Sequence, residues 1–258
     1  MAIENNFLHF NTEDTFQNQK SDIKDASIAF IKDSGKIYTH EQEYESVNWG
    51  YIKLEGVFIY TNTGELVNPE EWDTANNDSA IGVAVIDDNA RFAISKELPA
   101  VNDIPWSDVL QDTDVAGLTN YPNRGQALLD FNGLENTRII IEAAPSEDSS
   151  NNAAYYCNAQ TLNGKNGYLP AVGELALMHN NKTAIDSALT TIGSKTISAR
   201  LNELQAEDHY IWSSTESKQS ASWHLIWNFS SLNISASNKT GNYANYNYFA
   251  FPFFPLNI

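Results

Sequence analysis

The sequence predicts an α+β domain preceded by a short β-rich segment. Three observations carry this reading. Turn signals between apolar runs recur along residues 1–100, apolar residues at helical spacing fill the middle, and the stretch from Trp212 returns to the period of a strand. Residues 1–50 read as a segment of their own, expected to serve attachment or oligomerisation, and residues 51–258 as the main domain.

In the N-terminal segment the strand candidate ASIAFIKD meets KIYTH across Asp33-Ser34-Gly35-Lys36, a hairpin turn. So short a unit buries little alone, which predicts packing against copies of itself or a partner. A second hairpin, GVFIYTNTGELV, turns at Asn62-Thr63-Gly64. Strands Ile81 to Ile86 and Arg91 to Ser95 flank Asp87-Asp88-Asn89. Helices are expected over Asn123 to Phe131, over Glu135 to Ala144 before Pro145, and over Ser149 to Asn158. Next comes a helix with Leu175, Leu177 and Met178 facing inward and Glu174 near its positive end. Thr183 is expected to cap a further helix that ends at Gly193, and Ser198 to open a short one carrying Leu201 and Leu204.

The 258 residues carry 33 acidic against 15 basic side chains, a formal charge of -18. That balance argues against nucleic acid and against anionic membrane surfaces, both of which are bound through Lys and Arg. No stretch is long enough to span a bilayer, and MAIENNFLHF has neither a basic leader nor an apolar signal core. A location on a virion or the cell exterior would therefore need another route out. Cys157 is the single cysteine and reads as a buried structural thiol.

In SWHLIWNF, Trp223, Leu225, Trp227 and Phe229 alternate with Ser222, His224, Ile226 and Asn228, so one row anchors a core and the other is expected on display. The displayed row continues through Asn233, Ser235 and Ser237, with Leu232, Ile234 and Ala236 inward, and on to Tyr243, Asn245, Tyr246 and Tyr248. Tyr supplies contact area at low entropic cost, and Ser and Asn supply adaptable hydrogen bonds.

Signals for catalysis are weak. The five histidines lack metal-ligand spacing, and the acidic clusters at Glu70-Glu71, Asp87-Asp88 and Asp112 to Asp114 match no spaced oxygen-ligand loop, so no metal or cofactor is expected. Ser213, Ser214 and Thr215 sit in no nucleophile elbow and read as turn hydroxyls satisfying backbone groups. The sequons at Asn181, Asn228, Asn233 and Asn238 are what an Asn-rich chain gives by chance.

YYCNAQT, NGYLPAVGELALMHNNKTAIDSAL, YIWSSTE, SWHLIWNFS and FAFPFFPL together resemble the C-type-lectin-like domains of gut bacterial and phage proteins, which share their fold with the formylglycine-generating sulfatase-modifying enzymes. The resemblance covers about residues 52 to 258. It implies a non-enzymatic receptor-binding domain, often the variable protein of a diversity-generating retroelement. The ligand would be a cell-surface protein or glycan, met through His224, Ile226, Asn228, Asn233, Ser235, Ser237, Tyr243, Asn245 and Tyr246. The sulfatase-modifying activity needs a cysteine pair that this chain lacks, and the calcium motifs EPN, QPD and WND are absent. Phe249 to Phe254 also stand where this group commonly carries arginines. FLHF and IKDASIAFIKDSGKIYTH are similar to the start of phage tail-fibre or baseplate-associated proteins, which implies a trimeric, virion-mounted molecule. A structural virion or surface component, with the C-terminal sheet making subunit contacts, is the alternative expectation.

Overall fold

A computed structural model describes residues 55–97, 99–101, 103–203, 210–218, 221–225, 232–239 and 248–256 with side chains; at 7–10, 28–31, 36–43, 46–52, 209, 226–227 and 247 it describes the backbone alone. The chain divides into two units, Met1–Gly56 with Asn257–Ile258, and Val57–Leu256.

The first unit holds a four-stranded sheet. Its strands are β1 (Phe7–Phe10), β2 (Ile28–Ile31), β3 (Lys36–Glu43) and β4 (Ser46–Ile52), paired in that order. β2 and β3 pair in antiparallel register, Ile31 opposite Lys36, on either side of the expected turn at Ser34-Gly35, which lies outside the described residues. β1 runs parallel to β2, and β4, which the sequence reading left out, pairs with β3 from Ile37 to Glu43.

In the second unit, β5 (Gly56–Thr61) turns into β6 (Leu66–Val67) through Gly64, whose φ of 89° suits a residue without a Cβ. β7 (Ala80–Ile86) and β8 (Arg91–Ser95) form the next hairpin. The helices are α1 (Arg124–Ala127), α2 (Gly133–Ala143), α3 (Ala153–Ala159), α4 (Val172–Asn180), α5 (Lys182–Thr191) and α6 (Ile197–Glu203). A small ribbon of β9 (Thr161–Leu162) and β10 (Lys165–Asn166) separates α3 from α4. The chain ends in β11 (His209–Lys218), β12 (Ala221–Trp227), β13 (Asn233–Asn238), β14 (Asn247–Phe249) and β15 (Phe254–Pro255).

Two sheets result. β15 returns to β8 and completes the order β15-β8-β7-β5-β6, while the second sheet runs β13-β12-β11-β14. Between them lies the larger core: Val83, Val85, Phe92 and Ile94 from the first sheet, Leu175, Met178, Ile185 and Leu189 from α4 and α5, and Ile211, Leu225, Ile234 and Phe249 from the second. The second sheet is covered on its other face as well. Trp212 and Tyr248 join Ile104, Trp106, Ile140 of α2 and Cys157 of α3 in a separate buried cluster.

Several helix limits differ from expectation. The helix expected over Asn123 to Phe131 is one turn, with Asn123 Oδ1 accepting the Gln126 N–H at 3.0 Å. α3 starts at Ala153 because Asn152 caps it, leaving Ser149 in a turn. Thr183 lies inside α5, which begins without a side-chain cap because it follows α4 almost directly. Leu177 is only half-buried, whereas Leu175 and Met178 are in the core. Leu204 lies outside the described residues.

Candidate functional site

The second sheet rests on a polar knot built from WSSTE and LPAVGEL. Ser214 N–H donates to the Pro170 carbonyl at 2.8 Å, and Val172 N–H donates to Thr215 Oγ1 at 2.9 Å. Thr215 Oγ1 donates in turn to Asp130 Oδ2 at 2.8 Å, which also accepts Asn136 Nδ2 at 2.9 Å. Ser213 Oγ donates to the Trp223 carbonyl at 2.7 Å, and Ser222 Oγ to Ser213 and Thr215 carbonyls. The hydroxyls of Ser213 and Thr215 satisfy backbone groups as expected, whereas Ser214 Oγ accepts the Asn136 side-chain amide at 3.3 Å, and all three stand in strand β11, not in a turn. The ladder with β12 is irregular between Trp212 and Glu216, and the local break releases backbone groups for these bonds. Gly173 has to be glycine: a Cβ would stand 2.4 Å from the Asp130 carbonyl oxygen that its N–H meets at 3.0 Å.

Glu174 is the buried acid of this region. Its carboxyl accepts the Ala171 N–H at 2.7 Å, which ties down the first turn of α4, and the Tyr168 hydroxyl at 3.0 Å. Burial raises its pKa to about 8, so the side chain is protonated at neutral pH. It backs a pocket of about 340 Å³ that Phe131, Leu134 and Pro255 also line.

The other buried acid is Glu216. Lys239, at the end of β13, pairs with its carboxylate, donates to the Thr113 carbonyl at 2.7 Å and lies 4.7 Å from the centre of the Trp106 ring. Glu216 also accepts the Val115 N–H, and the Lys239 carbonyl accepts the Trp106 N–H at 2.9 Å. Burial pushes the lysine pKa down and the carboxyl pKa up, against the attraction between them. This clamp fixes the chain where β13 ends.

His224 requires a correction. The alternation in SWHLIWNF put it on display, yet it is 1% exposed, and Ser222 beside it is fully buried. The reason is the covering of both sheet faces. Trp212 lies directly opposite His224, and Tyr248 stacks on Trp212 at 4.2 Å. Rings of Tyr210, Trp212 and Tyr248 stand 5.2, 5.9 and 5.3 Å from the imidazole, all steeply inclined to it. Neither ring nitrogen has a hydrogen-bond partner among the described residues. Burial lowers its pKa to about 4, leaving a neutral ring.

The rest of the expected row divides. Ser235 is exposed, Asn233 and Ser237 are half-buried, and all three lie on β13, which pairs only with β12 among the described residues. Ile234 is buried as expected, but Ala236, expected inward, is exposed at the outer strand although its partner Trp223 belongs to the core. Ile226 sits in β12 opposite Asn233, described by backbone alone. Asn228, Tyr243, Asn245 and Tyr246 lie outside the described residues. The sequence reading missed Lys239 and the Tyr210–Trp212–Tyr248 cage; YIWSSTE with its two spaced aromatics was the available signal for the cage.

Cys157 is a free, buried thiol in α3, and burial alone pushes its pKa well up. Among the described residues no three His, Cys, Asp or Glu side chains gather as a metal site, and no helix is long and apolar enough to cross a membrane.

No protein-family model matches the chain, and no curated protein does. Among solved structures the chain is similar to a fimbrial protein from Bacteroides ovatus, with a TM-score of 0.51 at 13% identity over 89% of this chain. The match spans 61% of that protein's length. At that identity the likeness is one of fold, a mixed α and β arrangement.

Proposed function

We propose that the main domain is a C-type-lectin-like, non-enzymatic binding domain whose C-terminal surface meets a cell-surface protein or glycan. On this reading the chain is a variable protein of a diversity-generating retroelement, carried on a phage or prophage tail, a virion or the exterior of a gut bacterium, and held as a homo-oligomer through its N-terminal segment. The observation that carries the reading is β13, whose Ser235 and Asn238 are exposed and uncharged on a frame clamped by Glu216 and Lys239. An ordinary solvated strand would be filled with Lys, Glu and Thr. The direct bonds between LPAVGEL and WSSTE support the fold reading, since these two motifs carry most of the resemblance.

The role of His224 changes within this reading. It supports the surface from below, in the aromatic cage, and the contacts fall to β13 and to the Tyr- and Asn-rich run before β14.

The second reading is a structural surface component whose C-terminal sheet makes subunit contacts. On its side stands the likeness in fold to a fimbrial protein. One experiment separates the two. Tyr243→Ala with Tyr246→Ala is expected to abolish binding to target cells while leaving the mass by light scattering unchanged. A changed mass with retained cell binding would favour the subunit contact. Sequencing the gene from a clonal source adds the test of variability: substitutions clustered at adenines in codons 222 to 248 are expected, and an invariant stretch would remove the retroelement part of the reading.

A further inference from the structure

Where β11 meets β12 the sheet carries a groove of about 410 Å³, within the range of small-molecule sites. The strand register explains it. Lys218, Ala221 and Asn238 form one cross-strand row, and Trp223 and Ala236 form the next. These rows continue the face that elsewhere carries the core, but the two alanines leave space where larger side chains would close it. The indole is held in place by its N–H, which donates to the Tyr121 carbonyl at 2.8 Å.

Two polar groups at the groove, Ser217 and Lys218, are not taken up by the fold's own bonding. Ser217 is 7% exposed, and neither its hydroxyl nor the ammonium of Lys218 makes a hydrogen bond or ion pair among the described residues. Both groups are left to solvent, so the hydroxyls of a ligand can replace water on them without breaking a bond of the fold. The contrast with the Glu174 pocket is direct, for there the carboxyl and the Tyr168 hydroxyl already bond each other.

We propose that this groove is a saccharide subsite that takes one pyranose ring of a surface glycan. The apolar floor of Trp223, Ala221 and Ala236 suits the C–H face of the ring, and Ser217, Lys218 and Asn238 suit its hydroxyls. A strand or helix of a partner would need a longer apolar trough, and a polyanion is opposed by the net charge of -18. The assignment rests on the reading of the C-terminal sheet as a binding surface and adds the ligand class.

The test is amide chemical-shift mapping of the full chain with methyl β-glucopyranoside, methyl β-galactopyranoside and methyl β-glucuronopyranoside. Ligand efficiency for so small a solute sets the expected dissociation constant at about 2–10 mM. Shifts confined to the amides of Ala221, Trp223 and Ala236 to Asn238, and at least about tenfold weaker in Ala236→Leu, would bear the proposal out. Ala236 is exposed, so the leucine fills the groove without entering the core; Ser217→Ala serves as a second variant that adds no bulk. Lys218→Gln distinguishes the sources: it weakens the glucuronide alone if the lysine meets a carboxylate, and all three if it meets hydroxyls. Absence of shifts with every glycoside at about 50 mM, or shifts that survive in Ala236→Leu, would overturn the subsite. If wild type and Ala236→Leu bind target cells equally, the subsite fails and the receptor reading stands. If the glycosides bind but cells do not, the reverse holds.

Discussion

Two concave regions of the main unit start from similar materials and end differently. The pocket at Tyr168 and Glu174 and the groove at Ser217 and Trp223 both set polar groups beside aromatic rings. In the pocket the polar atoms bond one another and the start of α4, and they hold the molecule together. In the groove the hydroxyl and the ammonium have no such bonds among the described residues. A polar lining alone therefore does not mark a functional site; whether its donors and acceptors are already used by the fold does.

The sharpest way to break that contrast is through Glu174. Its pKa of about 8 in the fold exceeds the ordinary 4.5, so the folded state binds the proton more tightly. Its contribution is complete below pH 4.5 and is lost as pH rises through 8, amounting to about 5 kcal/mol. Glu174→Gln should abolish this decline in urea titrations run at successive pH values. A variant with the same pH profile as wild type would show that the carboxyl is ionised and the pocket less closed than argued.

Lys239→Ala tests the clamp beside the groove. It leaves the Glu216 carboxylate buried without its cation, an expected loss of about 3–5 kcal/mol by chemical denaturation. Replacing both partners by apolar residues should recover most of it.

His224 gives a smaller effect of opposite slope. Its pKa of about 4 lies below the ordinary 6.5, so the unfolded chain takes up the proton first and stability falls as pH drops from 6.5 to 4, by about 3 kcal/mol. Between pH 4.5 and 6.5 this opposes the Glu174 contribution. His224→Phe should flatten the acid side and, by removing two unpartnered nitrogens, raise stability at pH 7 by about 1–3 kcal/mol.

Ala236→Leu should be nearly silent, within about 0.5 kcal/mol by urea midpoint, because the position is exposed on β13. Marked destabilisation would mean that the groove is part of the packed core.

Local signals carried much of the fold. Asn62 to Gly64 and Asp87 to Asn89 each gave a hairpin where expected, β2 and β3 pair antiparallel as expected, and Pro145 and Gly193 bounded helices, because turn chemistry and periodicity are short-range. The site was less legible. The alternation at Ser222 to Leu225 describes a sheet with one solvated face, and nothing nearby in sequence says that a second layer covers it. That layer is set by contacts over long separations, such as the Trp212 indole N–H donating to the Ile104 carbonyl across 108 residues. A short alternating run fixes which side chains share a face, and leaves open what lies against that face.

The Glu216–Lys239 clamp has a further consequence. Lys239 secures one side of residues 240–246, and on the other side β14 is locked to β11 with Tyr248 stacked on Trp212. Residues 240–246 are thus flanked by two moorings, both on β11. Each mooring is made by groups of the framework itself, Glu216, Thr113 and Trp106 at one end and Tyr210 to Trp212 of β11 at the other, so both ends of that interval are fixed by parts of the chain far from it in sequence.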